Sequence, residues 1–262
     1  MLGSASDADD VLQEAWLRLE RVRGTEEIHD LRGWLTTTVS RLCLDRLRRV
    51  RREDYVGPWL PEPVATLPDE IDRESVSFAF LCLLERLSPT ERAVFLLHTV
   101  FELGHEEIAT ALGLSHAAVR QQHKRAKDHL AAERPRFAPS KGEHEALLSR
   151  FAMACATGNA AELTAVLAAN VRVQTDGGGK SRAALNVVNG ADAASRFLIG
   201  LIKKGRVEGV EVAIREINGW PALVGTTDGV VDFVTAIETD GQMVAAVFVV
   251  VNPDKLRSGF LA

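Results

Sequence analysis

With 262 residues, 46% of them hydrophobic, the chain is long enough for one large domain or two to three small ones, each with a core of its own. Its formal net charge of −5 excludes wholesale attraction to a polyanion, so any nucleic-acid binding has to come from basic residues clustered on particular faces. The three cysteines, Cys43, Cys82 and Cys155, lie far apart in apolar helical patterns, which points to buried thiols in a reducing compartment and away from a zinc site. A secretory leader pattern and an apolar run of membrane-spanning length are both lacking in the sequence, so a cytoplasmic protein with no membrane partner is expected.

Residues 7–52 read as two helices. Leu12, Trp16 and Leu19, then Leu31, Leu35, Val39, Leu42 and Leu47, recur at three- to five-residue spacing, and Gly24 and Thr25 break the run. The second helix ends in a basic cluster of Arg41, Arg46, Arg48, Arg49, Arg51 and Arg52, opposed within it by Asp45 alone, which suits a solvated face or a phosphate track. Residues 55–68, YVGPWLPEPVATLP, hold four prolines and no usable period, and read as an extended linker. Helix resumes over 69–87. Ser88-Pro89-Thr90-Glu91 then forms a capping box with proline at the first helical position, which starts a helix running to about residue 100.

The stretch HEEIATALGLSHAAVRQQHKRAKDHL, residues 105–130, places paired glutamates in its first half and Arg120, Lys124, Arg125 and Lys127 in its second. Gly113 suits a left-handed turn and Ser115 suits a cap, so two helices joined by a three-residue turn are expected, a helix-turn-helix. In that geometry Ser115, His116, Ala117, Arg120 and Gln121 face base edges, arginine pairing best with guanine and glutamine with adenine, while Lys124, Arg125 and Lys127 reach phosphates. The plainer alternative is a solvated basic helix packed on an acidic one. Two basic helical clusters separated by a Pro-rich segment suggest two contacts on one nucleic acid, joined flexibly.

Residues 133–143 form a second linker by the same proline and glycine argument. Beyond it come two short helices (143–157 and 159–169), a short strand around Val171, a helix over 191–204 and then β-rich segments. VEVAIREI alternates with period two, MVAAVFVVV is a β-branched run, and turns fall at Asn218-Gly219, Asp228-Gly229 and Asp240-Gly241. An α+β domain with a curved antiparallel sheet follows. The seven histidines show no ligand spacing along the chain, His116 and His123 being too far apart on one helix face to share an ion, so neither metal nor cofactor is expected. DGGGK followed by Ser181 lacks the first glycine of a phosphate loop, since position 174 is Gln174.

DADDVLQEAWLRL (7–19) and RGWLTTTVSRLCLDRLRR (32–49) resemble region 2 of bacterial sigma factors of the extracytoplasmic-function type, and residues 87–130 resemble their region 4. WLPEP, DGGGK and NPDKL match a subgroup with a fused SnoaL-like domain of the NTF2-like fold. The resemblance implies two all-α sigma domains, region 2 in 1–54 and region 4 in 69–134, with linkers at 55–68 and 135–142 and an NTF2-like cone with a curved antiparallel sheet in 143–262. The family pattern also carries a further helix ahead of the position of Met1. Its partners would be the bacterial RNA polymerase core and promoter DNA. By position, Asp10, Gln13, Glu14 and Trp16 would contact polymerase. Trp34, with Arg41, Arg46, Arg48, Arg49, Arg51 and Arg52, would serve the −10 element, although Trp34 also fits the core period of Leu31 and Leu35. Ser115, His116, Ala117, Arg120, Gln121, Lys124, Arg125 and Lys127 would read the −35 element.

The subgroup motifs imply a regulatory contact made in cis, with no separate anti-sigma protein required. Its residues would be Trp59, Pro61 and Glu62 of the linker, Asp176, Gly177, Gly178, Gly179 and Lys180, and Asn252, Pro253, Asp254, Lys255 and Leu256, with the C-terminal domain packing against the sigma domains and the Pro-rich linker. Two rival functions stand beside this one. One is a metabolite-sensing helix-turn-helix regulator that acts without polymerase, with a small ligand in the pocket of the C-terminal domain. The other is an isomerase-like enzyme using Asp176, Asp228 or Asp232 as base, against which the single tyrosine, Tyr55, lies in the first linker. No catalytic residue is expected.

Overall fold

The computed structural model describes residues 1–23, 27–49, 55–65, 78–133, 140–204 and 209–258. The chain divides into two compact units, one built from Met1–Arg51 and Cys82–Arg134, the other from Arg52–Leu81 and Pro135–Ala262. The two helical regions therefore share one unit, and residues 55–65 belong with the C-terminal domain instead of forming a free tether.

In the first unit, α1 (Ala5–Val22) begins at Ser4, whose hydroxyl accepts the Asp7 N–H at 3.2 Å, and α2 (Leu31–Arg49) packs against it. Leu2, Val11 and Cys43 are the buried contact, with Val39, Leu42 and Leu47 around them. The core face of α1 differs from the periodic reading: Val11 and Ala15 are buried, whereas Leu12 and Trp16 are each 59% exposed. One residue turns a helix by about 100°, so Val11 and Ala15 lie on the face next to that of Leu12 and Trp16. Leu31 is likewise exposed. Gly24, Thr25, Arg51 and Arg52 lie outside the described residues, as do residues 69–77 of the helix expected over 69–87, of which α3 (Phe78–Leu84) is described.

α4 (Pro89–Thr99) starts at the expected capping box, with the Ser88 N–H donating to Glu91 at 2.9 Å and the Glu91 N–H to the Ser88 hydroxyl at 3.3 Å. α5 (His105–Leu112) ends at Gly113, whose φ of 66° is the left-handed conformation that a side chain would disfavour. α6 (His116–Glu133) follows, its first turn capped by the Ser115 hydroxyl, which accepts the Ala118 N–H at 3.2 Å. Val94, Leu97, Ile108 and Val119 close the core of these three helices. Two arginines tie the unit together. Arg41 on α2 donates to the last carbonyls of α5, Ala111 at 2.9 Å and Thr110 at 3.3 Å, where a helix C-terminus favours a cation. Arg92, 3% exposed, clasps Glu85 through both terminal nitrogens and also donates to the Met1 carbonyl.

The second unit opens with α7 (Lys141–Thr157), started by a capping box between Ser140 and Glu143, and continues through α8 (Ala160–Val166). The strands are β1 (Leu167–Asp176), β2 (Val188–Asn189), β3 (Glu211–Ile217), β4 (Trp220–Thr227), β5 (Val230–Thr239) and β6 (Val244–Val250), with α9 (Ala191–Lys204) after β2 and α10 (Pro253–Ser258) after β6. They form one six-stranded sheet in the order β2-β1-β6-β5-β4-β3. The sheet is mixed and not wholly antiparallel as expected: β1 runs parallel to β6, because β1 and the meander of β3 to β6 are joined by the crossover that contains α9. β1 also begins where helix was expected to continue, at Leu167. Asn218-Gly219 and Asp228-Gly229 each take positive φ at both residues, the hairpin turns read from the sequence.

One face of the sheet packs on Leu147, Leu148 and Phe151 of α7, Leu163 of α8 and Leu198 of α9. On β6 the neighbours of those inward residues are buried too, and the Phe248 ring meets that of Phe78 at 5.8 Å between centroids.

Candidate functional site

α6 separates two chemistries around its axis. Val119, Ala126 and Leu130 form its buried stripe. At about 100° per residue, Ala117, Gln121 and Lys124 point directly away from that stripe, with Arg120 and Lys127 on one flank and Arg125 on the other. All of these are exposed. The acidic first half has a local cause: Glu106 and Glu107 sit in the first turn of α5, where the helix dipole favours an anion, and the Glu107 carboxylate accepts the Gly104 N–H at 2.6 Å. The resulting surface is a row of cations and one amide on a helix held by its predecessor through a tight turn, a form that fits a DNA groove.

A second site lies within the other unit, where residues 55–65 cross the C-terminal domain. Pro58, Pro61 and Pro63 lack N–H groups and keep this segment out of a regular ladder, so the remaining N–H groups must find acceptors elsewhere. The Leu60 N–H donates to Asp176 at 2.8 Å and the Val64 N–H to the Asn218 side chain at 3.2 Å, while the Asn218 N–H returns a bond to the Val64 carbonyl at 2.8 Å. Ala65 bridges Ile217 at the end of the edge strand β3. Leu60 itself is 1% exposed.

Asp176 is the centre of this latch. Fully buried, it accepts from the Tyr55 hydroxyl at 2.5 Å, the Leu60 N–H and the Lys255 ammonium at 2.7 Å. Lys255 also donates to the Leu60 carbonyl and stands 3.8 Å over the Trp59 ring, which sets a cation against the ring's negative face. The Asn252 side chain donates to Tyr55 at 2.8 Å. Burial first, and the bond to Asp176 second, raise the Tyr55 hydroxyl above its ordinary pKa, so it stays a donor. The glycines of DGGGK have a steric reason: Gly178 and Gly179 turn with φ of 56° and 72°, and a Cβ on Gly178 would overlap the Asn252 side chain beside the Tyr55 hydroxyl.

Residues 1–53 match the family model Sigma-70 region 2, and residues 77–130 match Sigma-70, region 4. The chain is 36% identical to the ECF RNA polymerase sigma factor SigJ of Mycobacterium tuberculosis, the alignment covering 97% of this chain and 87% of that protein. The chain belongs to the extracytoplasmic-function RNA polymerase sigma factors. This sigma factor is also 30% identical to the probable ECF sigma factor SigI of the same organism, over 98% of this chain and 88% of that one. The crystal structure of the M. tuberculosis SigJ protein matches it with a TM-score of 0.79 and 34% identity, covering all of this chain and 93% of the other.

Within the sigma factor's first unit, Asp10, Gln13 and Trp16 are exposed on α1 and Glu14 is half-buried, paired with Arg18 at 2.9 Å. Trp34 is half-buried on α2. Arg48 and Arg49 are exposed, but Arg46 is held by Asp7 and by Asp10 at 3.0 Å, and Arg41 by α5. Those two cations are thus occupied in the chain alone. Ser115 is spent as a cap, leaving Ala117, Arg120, Gln121, Lys124, Arg125 and Lys127 as the open row.

The motif residues gather as a group on the linker: Trp59, Pro61 and Glu62 belong to the segment that Asp176, Asn252 and Lys255 hold. Leu256 is buried and Pro253 opens α10. Lys180 pairs with Asp254 at 2.5 Å, and Gly177 lies at the start of the turn closed by the Lys180 N–H to its carbonyl at 2.9 Å. Tyr55, set aside in the sequence because it lies in the linker, is brought onto Asp176 by the docking of that linker. Asp228 is exposed in its turn, and Asp232 accepts from Thr227 at 2.5 Å.

The sequence reading also missed a histidine cluster. His98 on α4, His105 at the start of α5 and His123 on α6 bring one ring nitrogen each within 4.8 Å of one another. Spacing along a single helix could not reveal it, because each comes from a different helix.

Proposed function

We propose that this sigma factor directs the bacterial RNA polymerase core to promoters, docking through the exposed face of α1, opening the −10 element with α2 and reading the −35 element with α6. The observation that carries the reading is the exposed row from Ala117 to Lys127, set opposite a fully buried stripe on a helix that follows a tight left-handed turn. Leu12, Trp16 and Leu17 add an exposed apolar surface on α1 beside Asp10 and Gln13, of the kind a protein partner covers. Such a protein works where polymerase and chromosome are, in the cytoplasm.

The C-terminal unit regulates in cis by holding residues 55–65 through Asp176 and Lys255, and exchange between docked and released linker is a population shift that polymerase binding biases. No separate anti-sigma protein is needed for this device. Catalysis is not part of the reading: the oxygens of Asp176 are taken by three donors, so it is poorly placed to remove a substrate proton.

The test is selection of DNA by the chain bound to core polymerase. Enrichment of two spaced elements, the upstream one altered by Arg120→Ala, is the expected outcome. Enrichment of a palindromic site by the chain alone would favour a polymerase-independent regulator, and the absence of both enrichments would overturn promoter recognition.

A further inference from the structure

His98, His105 and His123 meet beside the turn of the helix-turn-helix. The His98 and His105 rings stack at 4.7 Å between centroids, and the His123 ring stands edge-on to them at 4.3 and 5.3 Å. All three are half-buried. Such a packing costs apolar contact that leucines would supply, and it places three imidazoles where protonation of one opposes protonation of the others. The arrangement suits a ligand that binds neutral imidazole.

The nitrogens are placed for it. His105 Nε2 and His123 Nδ1 are 3.1 Å apart. Two nitrogens on one tetrahedral ion at the usual zinc distance would lie about 3.3 Å apart, so the metal needs almost no movement of this pair. In the metal-free state one of the two nitrogens must carry the shared proton, which an ion would displace. His98 Nδ1 is 2.9 Å from the Leu103 carbonyl, so in the neutral ring this nitrogen is the donor and Nε2 is the one left for a ligand. A backbone carbonyl on the far nitrogen is the usual outer support of a histidine ligand. One ring nitrogen of each histidine lies within 4.8 Å of the other two, so closing such a trio onto one ion asks for about 1.5 Å of side-chain movement. Burial, followed by the neighbouring histidines and then Arg120 or Lys127, lowers the pKa of His105 and of His123.

We propose that His98, His105 and His123 form a site for a divalent transition-metal ion of the zinc class, which clamps α4 and α5 to the DNA-reading helix α6. An all-imidazole set excludes magnesium and calcium, which want oxygen ligands. Three protein ligands leave a fourth position for water or for His116, which is exposed and whose ring lies 6.0 Å from that of His105. The site stands independently of promoter recognition, because metal binding is read without DNA.

The experiment is zinc titration of the chelator-treated full chain against a chromophoric competitor, repeated with cobalt to read the visible bands of a tetrahedral ion. One zinc per chain with micromolar or tighter affinity is expected, lost at least tenfold in His98→Gln, His105→Gln and His123→Gln and kept in His29→Gln. Zinc should also raise the unfolding temperature of the parent chain and not of those three variants, each checked for native helicity by circular dichroism. A parent chain that takes up no zinc, or uptake unaffected by the three substitutions in folded protein, overturns the site.

Discussion

Asp176→Asn isolates the latch. The substitution keeps the shape of the side chain and removes its charge, taking the Asp176 carboxylate from the Lys255 ammonium, whose side chain is 7% exposed. Breaking a buried ion pair by removing one partner costs about 3–5 kcal/mol, because the remaining charge stays desolvated. Part of that cost falls on linker docking, since Asp176 also accepts the Leu60 N–H. Hydrogen exchange over residues 55–65 in the full chain reads it directly, and a loss of about 3 kcal/mol in local opening corresponds to roughly a hundredfold faster exchange at Leu60. Adding Lys255→Met removes the buried cation that faced Asp176, so the double variant should recover roughly 2 kcal/mol of the urea-unfolding stability lost by the single one. Exchange at Leu60 within twofold of the parent, or a double variant less stable than Asp176→Asn, would refute the reasoning.

Other perturbations separate the surfaces. Arg120→Ala should relax preference at one −35 base pair by about 1–3 kcal/mol, while Lys124→Ala should weaken all sequences alike and lower the salt dependence of binding; fluorescence anisotropy on a panel of duplexes distinguishes the two. Trp16→Glu should reduce affinity for core polymerase at least tenfold with urea stability unchanged within about 0.5 kcal/mol, because that ring is mostly solvent-facing, and a loss of folding would return it to the core. His144 is buried, with its Nε2 3.2 Å from the Pro221 carbonyl, and burial lowers its pKa below the ordinary value. The unfolded chain therefore takes up this proton first, so the contribution to stability is complete above pH of about 6.5 and drains as pH falls through that value towards the lowered one. Urea midpoints of the second unit at pH 7.5 and 5.5 should differ in the parent chain and differ less in His144→Gln.

The parts of the molecule governed by neighbours in sequence were the parts that could be read from it. The Ser88 capping box, the Gly113 turn, the Ser115 cap and the Asn-Gly and Asp-Gly hairpins each depend on three or four consecutive residues, and each forms as expected. On α1 the periodic pattern of Leu12 and Trp16 marks the helix but not its core face, which the smaller Val11 and Ala15 form. Tertiary partners decide between two such faces, and one chain's hydropathy pattern does not name them. The motifs WLPEP, DGGGK and NPDKL were visible and the Pro-rich linker was among their expected partners, but the individual bonds were not legible. The contact between Tyr55 and Asp176 spans 121 residues and that between Leu60 and Lys255 spans 195, and the linker's proline content suggested freedom where those bonds fix it. The parallel pairing of β1 with β6 is another long-range choice, since both strands look alike in either direction. The histidines at 98, 105 and 123 are joined in the same way, by helix packing alone.

Run-off transcription with purified bacterial core polymerase tests the central claim most directly, with the full chain, its Asp176→Asn variant and its Arg120→Ala variant each added to templates chosen by the enriched DNA. The account predicts transcripts from a fixed start that require the full chain, shift in amount when the latch is broken and fall when Arg120 is lost. Core polymerase that ignores the chain, with no defined start under any of these conditions, would contradict it.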